Sequence, residues 1–119
     1  MEGFLDERNA AFLTLNIGED LLDFHIDTGF DGTLVVGEEL FDSRRATPAG
    51  HVEAELAAGR HAVFQSFFVE FDWHGETVRS QVLVGPGKEC LLGTELLNPH
   101  RLEIDYGERT VHLECNPDW

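Results

Sequence analysis

Basic residues are scarce in this sequence. Its 119 residues include 8 Lys and Arg against 23 Asp and Glu, so the formal net charge at pH 7 is −15. A surface of this charge repels the phosphates of nucleic acids and the headgroups of anionic lipids, and we expect neither as a partner. A cytoplasm of high salt concentration would screen such self-repulsion, but an acidic protein of an ordinary organism fits equally well, and the sequence leaves both open.

Long hydrophobic runs are absent as well. No apolar segment approaches the ~20 residues that a membrane-spanning helix needs. The N-terminal stretch MEGFLDER is too acidic and too poor in apolar side chains for a signal peptide, which indicates a cytoplasmic location. Hydrophobic residues make up 42% of the chain, enough for the core of one globular domain that spans residues 1–119.

Cysteine is rare, and histidine shows no metal-binding spacing. Cys90 and Cys115 form no C-x-x-C motif and have no His at ligand spacing, and the six His residues form no H-x-x-x-H pair. We therefore predict no metal site and no cofactor, and expect structural or solvated histidines. Both cysteines are predicted to be small, reduced, apolar packing residues, with a disulfide as the alternative.

The main pattern in the sequence is the alternation of apolar and polar residues that is typical of β-strands. Leu13, Leu15 and Ile17 alternate with polar residues, and similar runs predict about seven or eight short strands. Residues 41–48 are predicted to be a loop, 57–60 the tip of a hairpin, and 94–97, after Gly93, the one short helix. The pattern predicts an all-β barrel or sandwich.

Asp27 stands out among the acidic residues. It ends an apolar strand and precedes Thr28 and Gly29, so its carboxylate is expected to be partly desolvated, with small neighbours. General acid–base catalysis needs a second carboxylate of different proton affinity. Asp31 lies beyond the turn and is better placed to bind a ligand than to share a proton with Asp27. The nucleophile elbow and the complete phosphate-binding loop are missing from the sequence.

Two motifs in this sequence resemble those of the retropepsin-like aspartic proteases. FHIDTG, at residues 24–29, is similar to the active-site motif of that family. LLGTELL, at 91–97, is similar to its second signature, two apolar residues and a Gly before a short helix, and QVLVGP, at 81–86, resembles the strand and loop that lead into it. The resemblance covers roughly residues 13–113.

The resemblance implies an all-β, closed barrel of short strands with a ψ-loop and one short helix. Asp27 would be the catalytic aspartate, Thr28 would form hydrogen bonds across a dimer, and Gly29 would let the backbone approach the substrate. Asp31 would contact the substrate backbone. The remaining expected contacts are a flap at Ala57, Ala58 and Gly59, and a wall behind Asp27 at Leu91, Leu92 and Gly93.

Two positions depart from the family pattern. Phe30 is expected to contact the substrate, and because it stands where an Ala or Ser usually follows the Gly, the substrate cleft is predicted to be narrower or differently shaped. Thr94 stands where retroviral members carry Arg, which removes an ion-pair partner of Asp31.

A single Asp-Thr-Gly in one domain implies a homodimer, in which each chain supplies Asp27 to a dyad. The resemblance then implies an aspartic endopeptidase that hydrolyses peptide or protein substrates through an activated water. Two alternatives remain open. One is a catalytically inactive retropepsin-like module for dimerisation or peptide binding, and the other is an unrelated sandwich in which Asp27 is a turn carboxylate.

Overall fold

The computed structural model describes residues 1–116, with all of their side chains except those of Leu56 and Ala57. Ten strands and one short helix form the fold within this range. The strands are β1 (Glu2–Leu5), β2 (Ala11–Ile17), β3 (Asp20–Ile26), β4 (Leu34–Gly37), β5 (Thr47–Leu56), β6 (Arg60–Trp73), β7 (Glu76–Gly85), β8 (Leu91–Leu92), β9 (His100–Asp105) and β10 (Thr110–Cys115). Helix α1 is Thr94–Leu97, and 3-10 turns cover Ser43–Arg45 and Ala57–Gly59. None of the helices in residues 1–116 has the length and apolar character needed to cross a membrane.

Six of the strands close into a ring. In the order β6, β7, β4, β8, β3 and β2, each strand pairs with the next, and Ile17 of β2 pairs with Phe71 of β6 to complete the circle. β5 continues the sheet beyond β6, and β1, β10 and β9 continue it beyond β2. The predicted closed barrel of short strands with one short helix is confirmed, but the expected number of strands was too low.

β8 lies between β3 and β4, which are neighbours in sequence. It runs parallel to β3, with His25 opposite Leu91, and antiparallel to β4, with Val35 opposite Leu91. The chain between β3 and β4 must therefore pass around the end of β8. This arrangement is the predicted ψ-loop, and it places Asp27, the residue after β3, next to the end of β8.

Alternating side chains fill the ring with apolar groups. In β2, Leu13, Leu15 and Ile17 are buried whereas Thr14 is exposed, as the sequence pattern predicts. A main core of such residues occupies the ring. A second, smaller cluster consists of Phe30, Val35, Phe64, Leu83 and Leu91, with Val52, Ala54 and Ala62 packed against it. The second cluster joins the ψ-loop to the β5–β6 hairpin.

One prediction about the middle of the chain was wrong. The expected loop at 41–48 ends early, because β5 begins at Thr47. Pro48 is compatible with this strand because β5 is at the edge of the sheet and the pairing register shifts between Pro48 and Gly50. β6 continues from the hairpin tip to Trp73, and its buried face changes midway, since Phe64 packs in the second cluster and Phe67 in the main core.

Candidate active site

The loop from Asp27 to Thr33 is bonded to the end of β8 on both sides. The Asp27 backbone N–H donates to the Leu92 carbonyl oxygen at 2.9 Å, and the Gly93 N–H donates to the Thr33 carbonyl oxygen at 2.8 Å. The Thr94 N–H, at the start of α1, donates to the Phe30 carbonyl oxygen at 2.8 Å. The two motifs singled out in the sequence are therefore in direct contact, joined by backbone hydrogen bonds.

Asp27 presents its carboxylate at the surface of this loop. The residue is half-buried, and its Oδ1 accepts a hydrogen bond from the Gly29 N–H at 2.9 Å, an interaction that shapes the turn. Thr28 and Gly29 are exposed. Within residues 1–116 the Thr28 hydroxyl has no hydrogen-bond partner, so it is free to bond outside its own chain.

Phe30 turns its ring away from the surface and into the second cluster. The side chain is 1% exposed, and it packs against Leu91 and Val35. Its ring passes so close to Gly32 and Gly93 that an added Cβ at either position would lie under 3.0 Å from it. The departure from Ala or Ser at this position is accommodated by two residues without side chains. Its predicted contact with substrate stays a prediction.

A groove of about 500 Å³ lies between the ψ-loop and β5. Asp31 and the Gly32–Thr33 backbone line one side, and the stretch from Val52 to Glu55 lines the other. Carboxylates dominate the polar lining, since Asp31, Glu53, Glu55 and Glu95 face a single cation, Arg79. The Arg79 guanidinium also stacks 4.7 Å from the centre of the Phe68 ring. The groove therefore favours a neutral or positively charged ligand.

The residues predicted for the site fall into four places. Phe30 and Asp31 line the groove, while Leu91, Leu92 and Gly93 are buried behind Asp27. Asp27, Thr28 and Gly29 lie on the same loop but are not among the lining residues of the groove in the single chain. The predicted hairpin tip is confirmed between β5 and β6, with Ala58 and Gly59 exposed and both in the left-handed backbone region. Ala57 was also predicted to belong to the flap, but its side chain lies outside the described part of the structure.

A second group of polar side chains, which the sequence prediction did not bring together, lies elsewhere in the fold. His74, His100 and Cys115 come together away from the ψ-loop, with their ligand atoms within 4.8 Å of one another. His74 is exposed, but the rings packed beside it partly desolvate its imidazole, and this, with a smaller effect of the neighbouring His100, lowers the pKa of His74. The prediction that both cysteines are apolar packing residues holds for Cys90, which is buried, but is wrong for Cys115, which is exposed. Neither forms a disulfide within the described part of the chain.

Solved structures provide the comparison for this fold, because no protein-family model and no curated protein matches the sequence. A retropepsin-like aspartic protease from Rickettsia conorii is 17% identical, with a TM-score of 0.63 over 95% of this chain and 88% of that one. The EIAV protease in complex with the inhibitor HBY-793 is 20% identical, with a TM-score of 0.58 over 77% of this chain and 88% of the other.

The third comparison is with a much longer chain. The foamy viral protease-reverse transcriptase, solved with an RNA/DNA hybrid, is 16% identical, with a TM-score of 0.57. The match covers 86% of this chain and 13% of that one. Together these likenesses show that the chain has the retropepsin-like fold, as the two sequence motifs predicted.

Proposed function

We propose that this protein is a homodimeric aspartic endopeptidase, with a dyad made of Asp27 from each of two chains. The observation that carries the proposal is the Asp27–Thr28–Gly29 turn. It is held at the end of β8 by backbone bonds, yet presents a half-buried carboxylate and an unpartnered hydroxyl at the surface. One chain contains one such turn, so a pair of carboxylates requires a second copy related by a two-fold axis.

The pair would act on a water molecule between the two chains. Two carboxylates at hydrogen-bond distance cannot both be ionised, so they share one proton, as is established for aspartic protease dyads. The ionised Asp27 takes a proton from the water, which attacks the scissile carbonyl carbon. The protonated partner donates its hydrogen to the carbonyl oxygen, which gives a tetrahedral diol. The Asp27 that took the proton from water then donates it to the leaving nitrogen, its partner takes a proton back from one diol hydroxyl, and the peptide bond breaks with the dyad restored.

The substrate would be an extended peptide in the groove under the β5–β6 hairpin. The hairpin tip at Ala57–Gly59 would serve as the flap, and Leu91, Leu92 and Gly93 would hold the back of the Asp27 loop. The carboxylates of Asp31, Glu53, Glu55 and Glu95 support a preference for peptides with neutral or basic side chains near the scissile bond.

Replacement of Asp27 tests the proposal. Asp27→Asn keeps an oxygen that can accept the Gly29 N–H, so the loop is expected to retain its shape while the shared proton is lost. We expect cleavage of a peptide library to fall by at least about 10²-fold, with the dimer intact by light scattering. Asp20→Asn, at an exposed position on β3, is the matched control and should cleave like the wild type.

A mixing experiment tests the shared site. If Asp27→Asn chains exchange freely with an equal amount of wild-type chains, about one quarter of the dimers contain two intact aspartates. Activity per total chain should then fall to about one quarter of the wild-type value, whereas it would fall only to about one half if each chain acted alone. Full activity of Asp27→Asn would refute the proposal. A dimeric wild type that cleaves no member of the library would instead support the alternative of an inactive dimerisation or peptide-binding module.

A further inference from the structure

Three separate elements bring His74, His100 and Cys115 together. His74 lies in the two-residue turn between β6 and β7, where it has a positive φ of 53°. His100 begins β9 and Cys115 ends β10, and the two are directly opposite each other in the antiparallel pairing. Their side chains therefore extend from the same face of this hairpin, towards the β6–β7 turn.

The ligand atoms of the three residues are close to one another. His74 Nε2 and His100 Nε2 are 2.7 Å apart, and Cys115 Sγ is 3.6 Å from His100 Nε2. The centres of the two imidazole rings are 4.8 Å apart and their planes are 6° from parallel, so the rings meet nitrogen to nitrogen. Trp73 meets both rings edge-on, which restricts their orientation.

The hydrogen bond at Nδ1 of His100 determines which nitrogen of that ring carries the hydrogen. His100 Nδ1 is 3.1 Å from the Leu97 carbonyl oxygen, which can only accept, so Nδ1 must carry the hydrogen. In the neutral ring, Nε2 then presents a lone pair to His74 and Cys115. A backbone carbonyl on the far nitrogen is the usual way in which a protein orients a metal-binding histidine.

We propose that His74, His100 and Cys115 form a binding site for a thiophilic divalent cation of the Zn²⁺ class. Two imidazoles and one thiolate are a donor set that Zn²⁺ accepts, whereas Mg²⁺ and Ca²⁺ prefer oxygen ligands. Tetrahedral Zn²⁺ would separate two imidazole nitrogens by about 3.3 Å and a nitrogen from a thiolate sulfur by about 3.6 Å. The Cys115–His100 distance already has this value, and the two imidazole nitrogens must move apart by about 0.6 Å. The His74 and Cys115 ligand atoms, which lie within 4.8 Å of each other, must also settle about 3.6 Å apart, so ion binding requires the His74 ring to turn in its exposed position.

Three protein ligands leave the fourth position of the ion to water or to a group from another molecule. The bound ion would link the β6–β7 turn to the β9–β10 hairpin, which are joined here by side chains alone. Because the geometry depends on the folded positions of all three elements, the ion binds the folded chain preferentially and raises its resistance to unfolding.

Cobalt titration of the full chain tests the site. Protein treated with a chelator and kept reduced with a phosphine is titrated with Co²⁺, and the Co²⁺–thiolate charge-transfer band is recorded in the near ultraviolet. We expect one ion per chain and displacement of the band by Zn²⁺. Cys115→Ser should abolish the band, whereas Cys90→Ala, which removes the buried thiol, should retain it.

Histidine variants give the second measurement. His74→Gln and His100→Gln should each weaken Zn²⁺ binding by at least about tenfold in competition with a chromophoric chelator, with circular dichroism confirming the fold. His61→Gln, at an exposed position of β6, is the matched control and should bind like the wild type. His74 is exposed in a turn, so its variant is expected to fold normally even if the His100 variant does not.

Each contrary result overturns the assignment. Absence of the thiolate band, a band that survives Cys115→Ser, or equal weakening by His61→Gln and His74→Gln would all refute the site. Asp27→Asn should bind the ion like the wild type, so the outcome for metal binding is independent of the outcome for proteolysis.

Discussion

The Phe30 ring and its two glycine neighbours yield a quantitative prediction about stability. An ideal Cβ on Gly32 would lie 2.5 Å from Cζ and 2.8 Å from Cε1 of Phe30, and its three nearest atoms all belong to that ring. A Cβ on Gly93 would also approach the ring, at 2.6 Å, but it would lie 2.2 Å from the Gly32 carbonyl oxygen. The first conflict is with a side chain and the second is with the backbone.

Each of the two single substitutions at the ring is of a type whose effect on the free energy of unfolding has a known order of magnitude. Gly32→Ala forces the ring out of its place, and overpacking of this kind lowers the free energy of unfolding by about 1–3 kcal/mol. Phe30→Ala removes a fully buried ring and costs about 3–5 kcal/mol. In the double variant the new methyl group occupies space that the ring has left. The double variant should therefore cost about 3–5 kcal/mol rather than the additive sum of about 4–8 kcal/mol.

Gly93→Ala is the comparator within the same loop. Removal of the Phe30 ring relieves only part of its conflict, because the Gly32 oxygen stays in place. We expect Gly93→Ala to remain destabilising in the Phe30→Ala background, whereas Gly32→Ala becomes nearly neutral there.

Urea denaturation at one fixed protein concentration measures these differences, since self-association would make the midpoint depend on concentration. If Gly32→Ala destabilises the Phe30→Ala chain as much as the wild type, the ring is not what limits residue 32, and the reasoning fails.

Two further predictions concern hydrogen bonds. The protonated His112 ring donates hydrogen bonds from Nδ1 to Glu2 and from Nε2 to Glu114, and these bonds, the one to Glu2 first, raise the pKa of His112. The stabilising effect of His112 is therefore present below pH ~6.5 and lost as pH rises through the raised pKa. Thermal unfolding between about pH 6 and 8 should show a larger loss in the wild type than in His112→Gln, and parallel curves would contradict this. Ser66, fully buried, donates to the Gly50 carbonyl oxygen at 2.8 Å, and Ser66→Ala should lower the free energy of unfolding by about 0.5–1.5 kcal/mol in urea. A loss no larger than that of exposed Ser43→Ala would refute it.

Local alternation was enough to predict most of the strands. Leu13, Leu15 and Ile17 show the pattern clearly because one face of β2 packs on the core and the other does not. β8 was not predicted because its two residues, Leu91 and Leu92, are too few to show the alternation of apolar and polar side chains that marks a strand. That strand exists through its pairing with β3 and β4, which are distant in sequence.

The candidate active site was predictable to the extent that its residues are contiguous. Asp27, Thr28 and Gly29 form a turn whose geometry follows from the Asp27 side chain and the Gly29 N–H. The direction of the Phe30 ring did not follow, because it depends on the absence of side chains at Gly32 and Gly93. Phe30 and Gly93 are in contact only after β8 has inserted between β3 and β4.

The His74, His100 and Cys115 cluster was missed for the same reason. His74 and His100 are 26 residues apart, and His100 and Cys115 are 15 apart, so no ligand spacing connects them. The pairing of β9 with β10 sets one of these contacts, and the turn after β6 sets the other. Metal-binding motifs are recognisable in sequence when two ligands lie on the same turn or helix. Here each of the three residues lies on a different secondary-structure element.

Helix α1 is the element that the two candidate sites have in common. Its first residues are bonded to the Asp27 loop, through the Thr94 N–H to the Phe30 carbonyl oxygen and the Glu95 N–H to that of Gly32. Its last residue, Leu97, accepts the hydrogen bond that orients His100. A helix of four residues is not stable by itself, so its position depends on these bonds at both ends. An ion bound at His100 would therefore act on the same element that holds the loop of the proposed catalytic aspartate.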